Sequence, residues 1–171
     1  ATGNFYNAIV FYQTQIKEDV ELKSDLPYLL KAVIVVPEGK TLTIDPGVIM
    51  EFKDNNSGLQ INGTLKAIGT PDSPIIFTQY PFTSPGWTMQ PGDWLGLDFT
   101  ETSVNSELEN IDISYGGAYY GNAQNQAFHS AIRVKQTSIS LKNSKVWNNA
   151  NYGVWLQNSS SLIDGVQFTD N

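Results

Sequence analysis

The sequence predicts an all-β chain folded as a single-stranded right-handed parallel β-helix, a solenoid of about five coils with an N-terminal cap. Three observations lead there: short apolar segments with a two-residue period, turn residues packed densely between them, and an internal repeat at constant offset.

The period comes first. Ile34 and Val36 alternate with Val33 and Val35, and Leu42 and Ile44 alternate with Thr41 and Thr43. The same pattern recurs at Leu59–Ile61, Leu65–Ala67, Ile75–Phe77, Leu97–Phe99, Ile111–Ile113, Ile132–Val134 and Ile139–Leu141. Alternation of this kind turns one face toward a core and the other toward water. A helical pattern is approached only over residues 16–30, where Val20-Glu21-Leu22 also alternates and Pro27 interrupts. Between the strands stand Pro37-Glu38-Gly39, Asp45-Pro46-Gly47, Asn56-Ser57-Gly58, Asn62-Gly63, Gly69-Thr70-Pro71-Asp72 and Gly116-Gly117, residue types that tolerate the backbone of tight corners.

Short strands alone fit a sandwich, a barrel or a solenoid, and the repeat chooses between them. Ile132-Arg133-Val134 aligns with Val154-Trp155-Leu156, Leu141 with Ile163, Val146 with Phe168, and Asn149 with Asn171, all at an offset of about 22 residues. Upstream the period is looser: Val33 and Val35 correspond to Leu59 and Ile61, Leu42 and Ile44 to Leu65 and Ala67, and Met50 and Phe52 to Ile75 and Phe77. One coil cannot bury its inward side chains alone, but stacked coils form a continuous apolar column. Asn62-Gly63 is a good hairpin dipeptide, yet its flanks fit two consecutive walls of one coil equally well. The coils are expected over residues 33–171, with 1–32 as the cap and loop insertions at 79–92 and 116–130. Insertions in repeat proteins commonly leave by one face, and that face often binds.

The segments Val33–Val48, Gly58–Gly69, Pro74–Thr78 and Gly92–Leu97, followed by Gly153–Asn171, resemble the coils of bacterial and archaeal right-handed parallel β-helix repeat proteins. The resemblance is specific for fold. It implies a pectate-lyase-like superfamily whose members include lyases, hydrolases, epimerases, periplasmic proteins and adhesins, so it names no activity.

Composition narrows the function classes. Charged residues form 16% of the 171-residue chain, below the roughly 25% of ordinary domains, and the net charge is -7. Arg133 is the single arginine, and there is no basic stripe for phosphates, so nucleic acid is not an expected partner. No apolar run approaches the roughly 20 residues of a membrane span. Without cysteine, thiol catalysis, disulfides and Cys-based zinc sites are excluded. An Asn-, Ser- and Thr-rich, cysteine-free chain fits an extracellular or cell-surface location.

Asp93, Asp98, Glu101 and Asp112 are close in sequence, and Asp98 and Asp112 alternate with inward apolar residues. They are expected as the solvated outer face of an acidic protein; the alternative is that two outward acids on adjacent walls or coils hold Ca²⁺ or act as an acid–base pair. A proton-abstracting partner would have to be Arg133 or Lys135, and no motif assigns either. The single His129 lies in the second insertion and is expected as a solvated side chain. The sequons at Asn55, Asn62 and Asn158 are of a kind that an Asn-, Ser- and Thr-rich chain produces by chance. Asn148, Asn149 and Asn171 read as a partial asparagine ladder between coils. No cofactor or metal is expected. Aromatic residues are more informative: Trp87, Trp94, Tyr119, Tyr120 and Trp155 fall in loops or at outward positions, where flat rings suit the C–H faces of sugars. The final coil closes on Thr169-Asp170-Asn171 without a polar cap, so the expectation is either that more chain follows or that Val166 and Phe168 meet a strand such as Ile9-Val10-Phe11 of another copy. The expected function is a non-catalytic extracellular surface protein, structural or adhesive, with head-to-tail assembly. A glycan-binding module and a carbohydrate-active enzyme using Asp93, Asp98 and Asp112 are the rivals.

Overall fold

Short alternating segments separated by corner residues become eighteen strands and no helix among the residues described by the computed structural model, which are 7–12, 14–80, 88–119 and 130–171. Every strand pairs in parallel, and the chain visits three walls in rotation. Wall one stacks β4 (Val33–Val36), β7 (Gly58–Ile61), β10 (Leu97–Phe99), β13 (Ser130–Lys135) and β16 (Tyr152–Gln157). Wall two stacks β2 (Val20–Leu22), β5 (Thr41–Ile44), β8 (Thr64–Ile68), β11 (Ser106–Glu109), β14 (Ile139–Lys142) and β17 (Leu162–Asp164). Wall three stacks β1 (Ile9–Phe11), β3 (Tyr28–Leu30), β6 (Ile49–Phe52), β9 (Ile75–Gln79), β12 (Ile111–Ser114), β15 (Lys145–Trp147) and β18 (Gln167–Thr169). This is a parallel β-helix, the fold the repeat predicted.

Each wall contributes inward columns. Ile34, Leu59, Leu97, Ile132 and Val154 are in register on wall one, and Met50, Phe77, Ile113, Val146 and Phe168 on wall three. Most of these side chains are fully buried, each worth roughly 1.5–3 kcal/mol against exposure. In the last three coils the turn from wall two to wall three carries a single left-handed residue, Asn110, Asn143 or Gly165, with φ of 48°, 47° and 63°. Asparagine and glycine tolerate that region where bulkier residues do not.

The C-terminal alignment is observed as expected, Val146 against Phe168 and Leu141 against Ile163 included. Two upstream alignments are corrected. Leu59 and Ile61 face Ile34 and Val36, not Val33 and Val35. Four consecutive β-branched residues carry no polar member to mark the outer face, so pattern alone cannot set their parity. Phe77 faces Met50, two residues from the expected partner, because alternation fixes parity but not a shift of two. Leu42 and Ile44 do meet Leu65 and Ala67.

Residues 1–32, expected as a cap, include strands of the stack itself. Gln15 makes an isolated parallel bridge to Val35, β2 pairs with β5 and β3 pairs with β6. The inward residues Ile16, Leu22 and Leu30 join the same core. The two insertions both leave at the corner from wall three to wall one. Their described roots bind each other: Gly117 N–H donates to Leu95 O and Ala118 N–H to Trp94 O, at 3.1 and 2.9 Å.

Candidate functional site

Parallel stacking places outward residues of successive coils side by side, so a site builds up along the helix axis. On wall one the outward column is Val35, Gln60, Asp98, Arg133 and Trp155. Arg133 Nη1 donates to Asp98 Oδ1 at 2.8 Å, with only 13% and 6% of the two side chains exposed. The Trp155 ring lies over the guanidinium, 5.5 Å from its centroid to Cζ, a cation–π contact. Burial raises the Asp98 carboxyl above its ordinary value of 3.8, and attraction by Arg133 and then Lys135 offsets only part of the rise. Arg133 Nε is buried and makes no hydrogen bond among the described residues.

A buried acid with a raised pKa is the type of group that general acid–base chemistry uses. Here its partner is a cation sharing one of its oxygens, and the other acids lie elsewhere. Asp112 is on wall three, where its Oδ1 accepts from Trp147 Nε1 at 2.5 Å. Asp93 caps a turn by accepting from Gln90 N at 2.6 Å. Among the described residues no three His, Cys, Asp or Glu side chains converge on a point that would hold a metal ion. The alternative that joined Asp98 and Asp112 in one site finds no support in the geometry: the two extend from different walls of one coil, each with its own partner. The Asp98–Arg133 pair was not assigned from sequence, because the second insertion separates its members and breaks the 22-residue offset.

One member of the expected aromatic platform, Trp94, is corrected. Trp94 is fully buried, stacked on Phe52 with centroids 3.8 Å apart and planes 4° from parallel, and its Nε1 donates to Ser114 O at 2.7 Å. It precedes β10 at a corner, where strand alternation does not govern direction, and the ring fills the space between walls three and one. Trp94 therefore cannot present a face to a glycan. Tyr119 is 49% exposed and Trp155 half-buried. Trp87, Tyr120 and His129 lie outside the described residues. Asn149 behaves as a ladder residue, donating to Asn171 Oδ1 at 2.8 Å and accepting from Gly116 N at 2.8 Å.

Of the residues expected in assembly, Ile9 is exposed on β1, with Val10 and Phe11 half-buried beside it. Phe11 packs on Tyr28. Val166 is half-buried against the core and Phe168 is 49% exposed on β18.

The outer face of wall two, unremarked in the sequence, holds an open groove of about 780 Å³. Its lining is mostly hydroxyl and amide side chains, with Ile139, Lys142 and Leu162 and one ion pair, Lys66 to Glu107.

A model of the pectate-lyase-like β-helix domain matches residues 14–168. Protein bark beetle of Drosophila melanogaster is 50% identical over 54 residues, which are 32% of this chain and 2% of that protein. The chain thus corresponds to a small fraction of that relative's length. No solved structure matches the chain.

Proposed function

The chain belongs to the pectate-lyase-like β-helix family, and on that premise we propose that it is a non-catalytic structural module of an extracellular or cell-surface protein. One observation supports the reading. Several ionisable and aromatic side chains of the kind that a reaction could use are engaged in joining each coil to the next. Asp98 holds Arg133, which lies under Trp155; Asp112 holds Trp147; Lys66 pairs with Glu107; Lys23 pairs with Asp45; and Asn149 binds Asn171. Each contact bridges neighbouring coils, which stiffens a rod rather than assembling a reaction centre. The family fold alone dictates no chemistry. The low charge content and the Asn-, Ser- and Thr-rich surface support the location.

The test is direct. The full chain, incubated with soluble plant, fungal and bacterial polysaccharides, is expected to release no unsaturated or reducing ends. Release of such ends that co-purifies with the folded chain through successive columns would overturn the reading.

Head-to-tail stacking is part of the same proposal. β1 and β18 are the outer strands of one wall, and Ile9 and Phe168 belong to one inward column. A coil added beside β18, from the same polypeptide or a second copy, would continue that column. Electron microscopy of the concentrated chain is expected to show end-to-end rods, and a field of monomers would remove self-association from the proposal.

A further inference from the structure

We propose that Asn55 and Asn158 are acceptor sites for N-linked glycans, and that the folded chain keeps the third sequon, at Asn62, bare. The proposal rests on the extracellular location argued above and adds a covalent modification to it.

Asparagine followed two residues later by serine or threonine is the acceptor pattern for N-glycosylation, and it occurs at Asn55-Asn56-Ser57, Asn62-Gly63-Thr64 and Asn158-Ser159-Ser160. In the transfer, the sugar C1–O bond of a lipid-linked pyrophosphate donor breaks as C1 bonds to Asn Nδ2. The pyrophosphate leaves with the electron pair, and one carboxamide proton passes to a base of the transferase. The product is bulky and solubilising, so it is compatible with folding only where Nδ2 ends in open water.

Asn158 meets that condition. It is exposed at the corner between β16 and β17, in the left-handed region with φ of 50°. The backbone on either side is tied to the coil before: Gln136 N–H donates to Gln157 O at 2.8 Å and Ser160 N–H to Ser138 Oγ at 2.9 Å. The Asn158 carboxamide and the hydroxyl of exposed Ser160 make no hydrogen bond among the described residues. Asn55 is exposed between β6 and β7, at the tip of the turn that Ser57 N–H closes on Asp54 O at 2.9 Å. Its Oδ1 accepts from Asn56 Nδ2 at 3.2 Å, which leaves its own Nδ2 without a partner among the described residues. Ser57 is buried in the finished turn with its hydroxyl donating to Asp54 O, so transfer to Asn55 precedes closure of that turn. Both acceptors lie at corners between walls, where a glycan leaves the strand ladders uncovered.

Asn62 lies inside the stack. It is half-buried, and its Oδ1 accepts from Gln60 Nε2 at 3.1 Å and from Thr100 Oγ1 at 2.8 Å. Its carbonyl accepts from Thr102 Oγ1 at 2.8 Å, while its N–H donates back to Val36 O at 2.9 Å. Even a β-carbon at Gly63 would stand 2.2 Å from Pro37 O, so coils press on this corner from both sides. A glycan on Asn62 would have to displace Thr100 and the coil that carries it. Chains modified there do not close the stack.

The full chain, exported from cultured animal cells behind a secretion signal, tests this. Peptide N-glycosidase in heavy-oxygen water, followed by peptide mass spectrometry, is expected to label Asn55 and Asn158 and to leave Asn62 unlabelled. On gels, Asn55→Gln and Asn158→Gln should each lose one glycan, and the double variant both. Ser160→Ala should lose the glycan on Asn158 with circular dichroism unchanged, because that hydroxyl bonds nothing within the described fold, and Ser160→Thr should restore it. Exported chain that is bare at Asn55 or Asn158, or that carries a glycan on Asn62, overturns the proposal. A chain glycosylated at both sites on forced export, yet found inside the cells that naturally make it, sinks the extracellular reading and leaves the acceptor sites standing. The two proposals therefore fail separately.

Discussion

Replacing Arg133 by methionine isolates the only strongly buried ion pair among the described residues. Methionine keeps an unbranched apolar stem beneath Trp155 but withdraws the charge that faces Asp98 across 2.8 Å. Removing one member of a buried pair costs about 3–5 kcal/mol, because the remaining charge has neither water nor partner. With 13% and 6% side-chain exposure this pair lies near the buried limit, so about 3 kcal/mol is expected, or a fall in Tm of roughly 6–12 °C for a chain of this size. The deficit must depend on pH in one direction. Asp98 is already raised by burial, and losing Arg133 raises it further. A carboxyl with a raised folded pKa gives full stability below its unfolded value of 3.8 and loses it as pH rises through the folded value. The deficit of Arg133→Met should therefore be largest at neutral pH and shrink on acidification through that window. Urea unfolding followed by tryptophan fluorescence at pH 7.5 and pH 4 measures it. The double variant Asp98→Asn/Arg133→Met should recover ~2 kcal/mol or more of coupling. A deficit under ~1 kcal/mol, or one that does not change with pH, would refute the reasoning.

Trp94→Ala should cost about 3–5 kcal/mol by opening a cavity against Phe52, and Trp94→Phe ~1–3 kcal/mol by orphaning the Ser114 carbonyl; chemical denaturation that finds both neutral would contradict the burial. Gly96→Ala combines φ of 125° with a Cβ only 2.4 Å from Ser130 O, so a loss of at least ~2 kcal/mol is expected, and a melting temperature equal to wild type would show that β13 can move aside. Glu51 is raised by burial above its ordinary 4.5, so stability from this residue is lost as pH rises through its folded value. Glu51→Gln should thus raise Tm at neutral pH and flatten the acid side of the Tm–pH curve; an unchanged curve would mean that Glu51 is solvated.

How far the fold was legible depended on where the sequence carries phase information. From Ile132 onward, apolar residues alternate with polar ones and single left-handed asparagines mark the corners, so coil, parity and register all follow. At Val33–Val36 there is no polar residue to mark a face, and the expected parity came out reversed. The ladder contact of Asn149 with Asn171 was readable because both sit at a fixed corner of a regular coil. Trp94 was misread because a residue outside a strand has no alternation to orient it. The Asp98–Arg133 pair was half visible: both residues were singled out, but the insertion between β12 and β13 hid that they share a column. The wall-two groove went unnoticed because serine and threonine at outward positions look like ordinary surface. The signal was present all the same, since Ser138 and Ser160 stand 22 residues apart, one coil.

These features share a cause in the geometry of parallel stacking. Each outward residue meets the equivalent position of the coil before and the coil after, and little else. Charges of opposite sign at such neighbours become staples, as with Lys66 and Glu107 or Asp98 and Arg133. Small hydroxyl residues at such neighbours leave an open strip whose spacing is set by the backbone ladder, not by side-chain packing. A globular fold gathers function into a pocket by bringing distant segments together. A β-helix instead sets equivalent residues side by side along an axis, one per coil. On wall one the column is filled by mutual contacts and serves stability; on wall two hydroxyl side chains line an open groove.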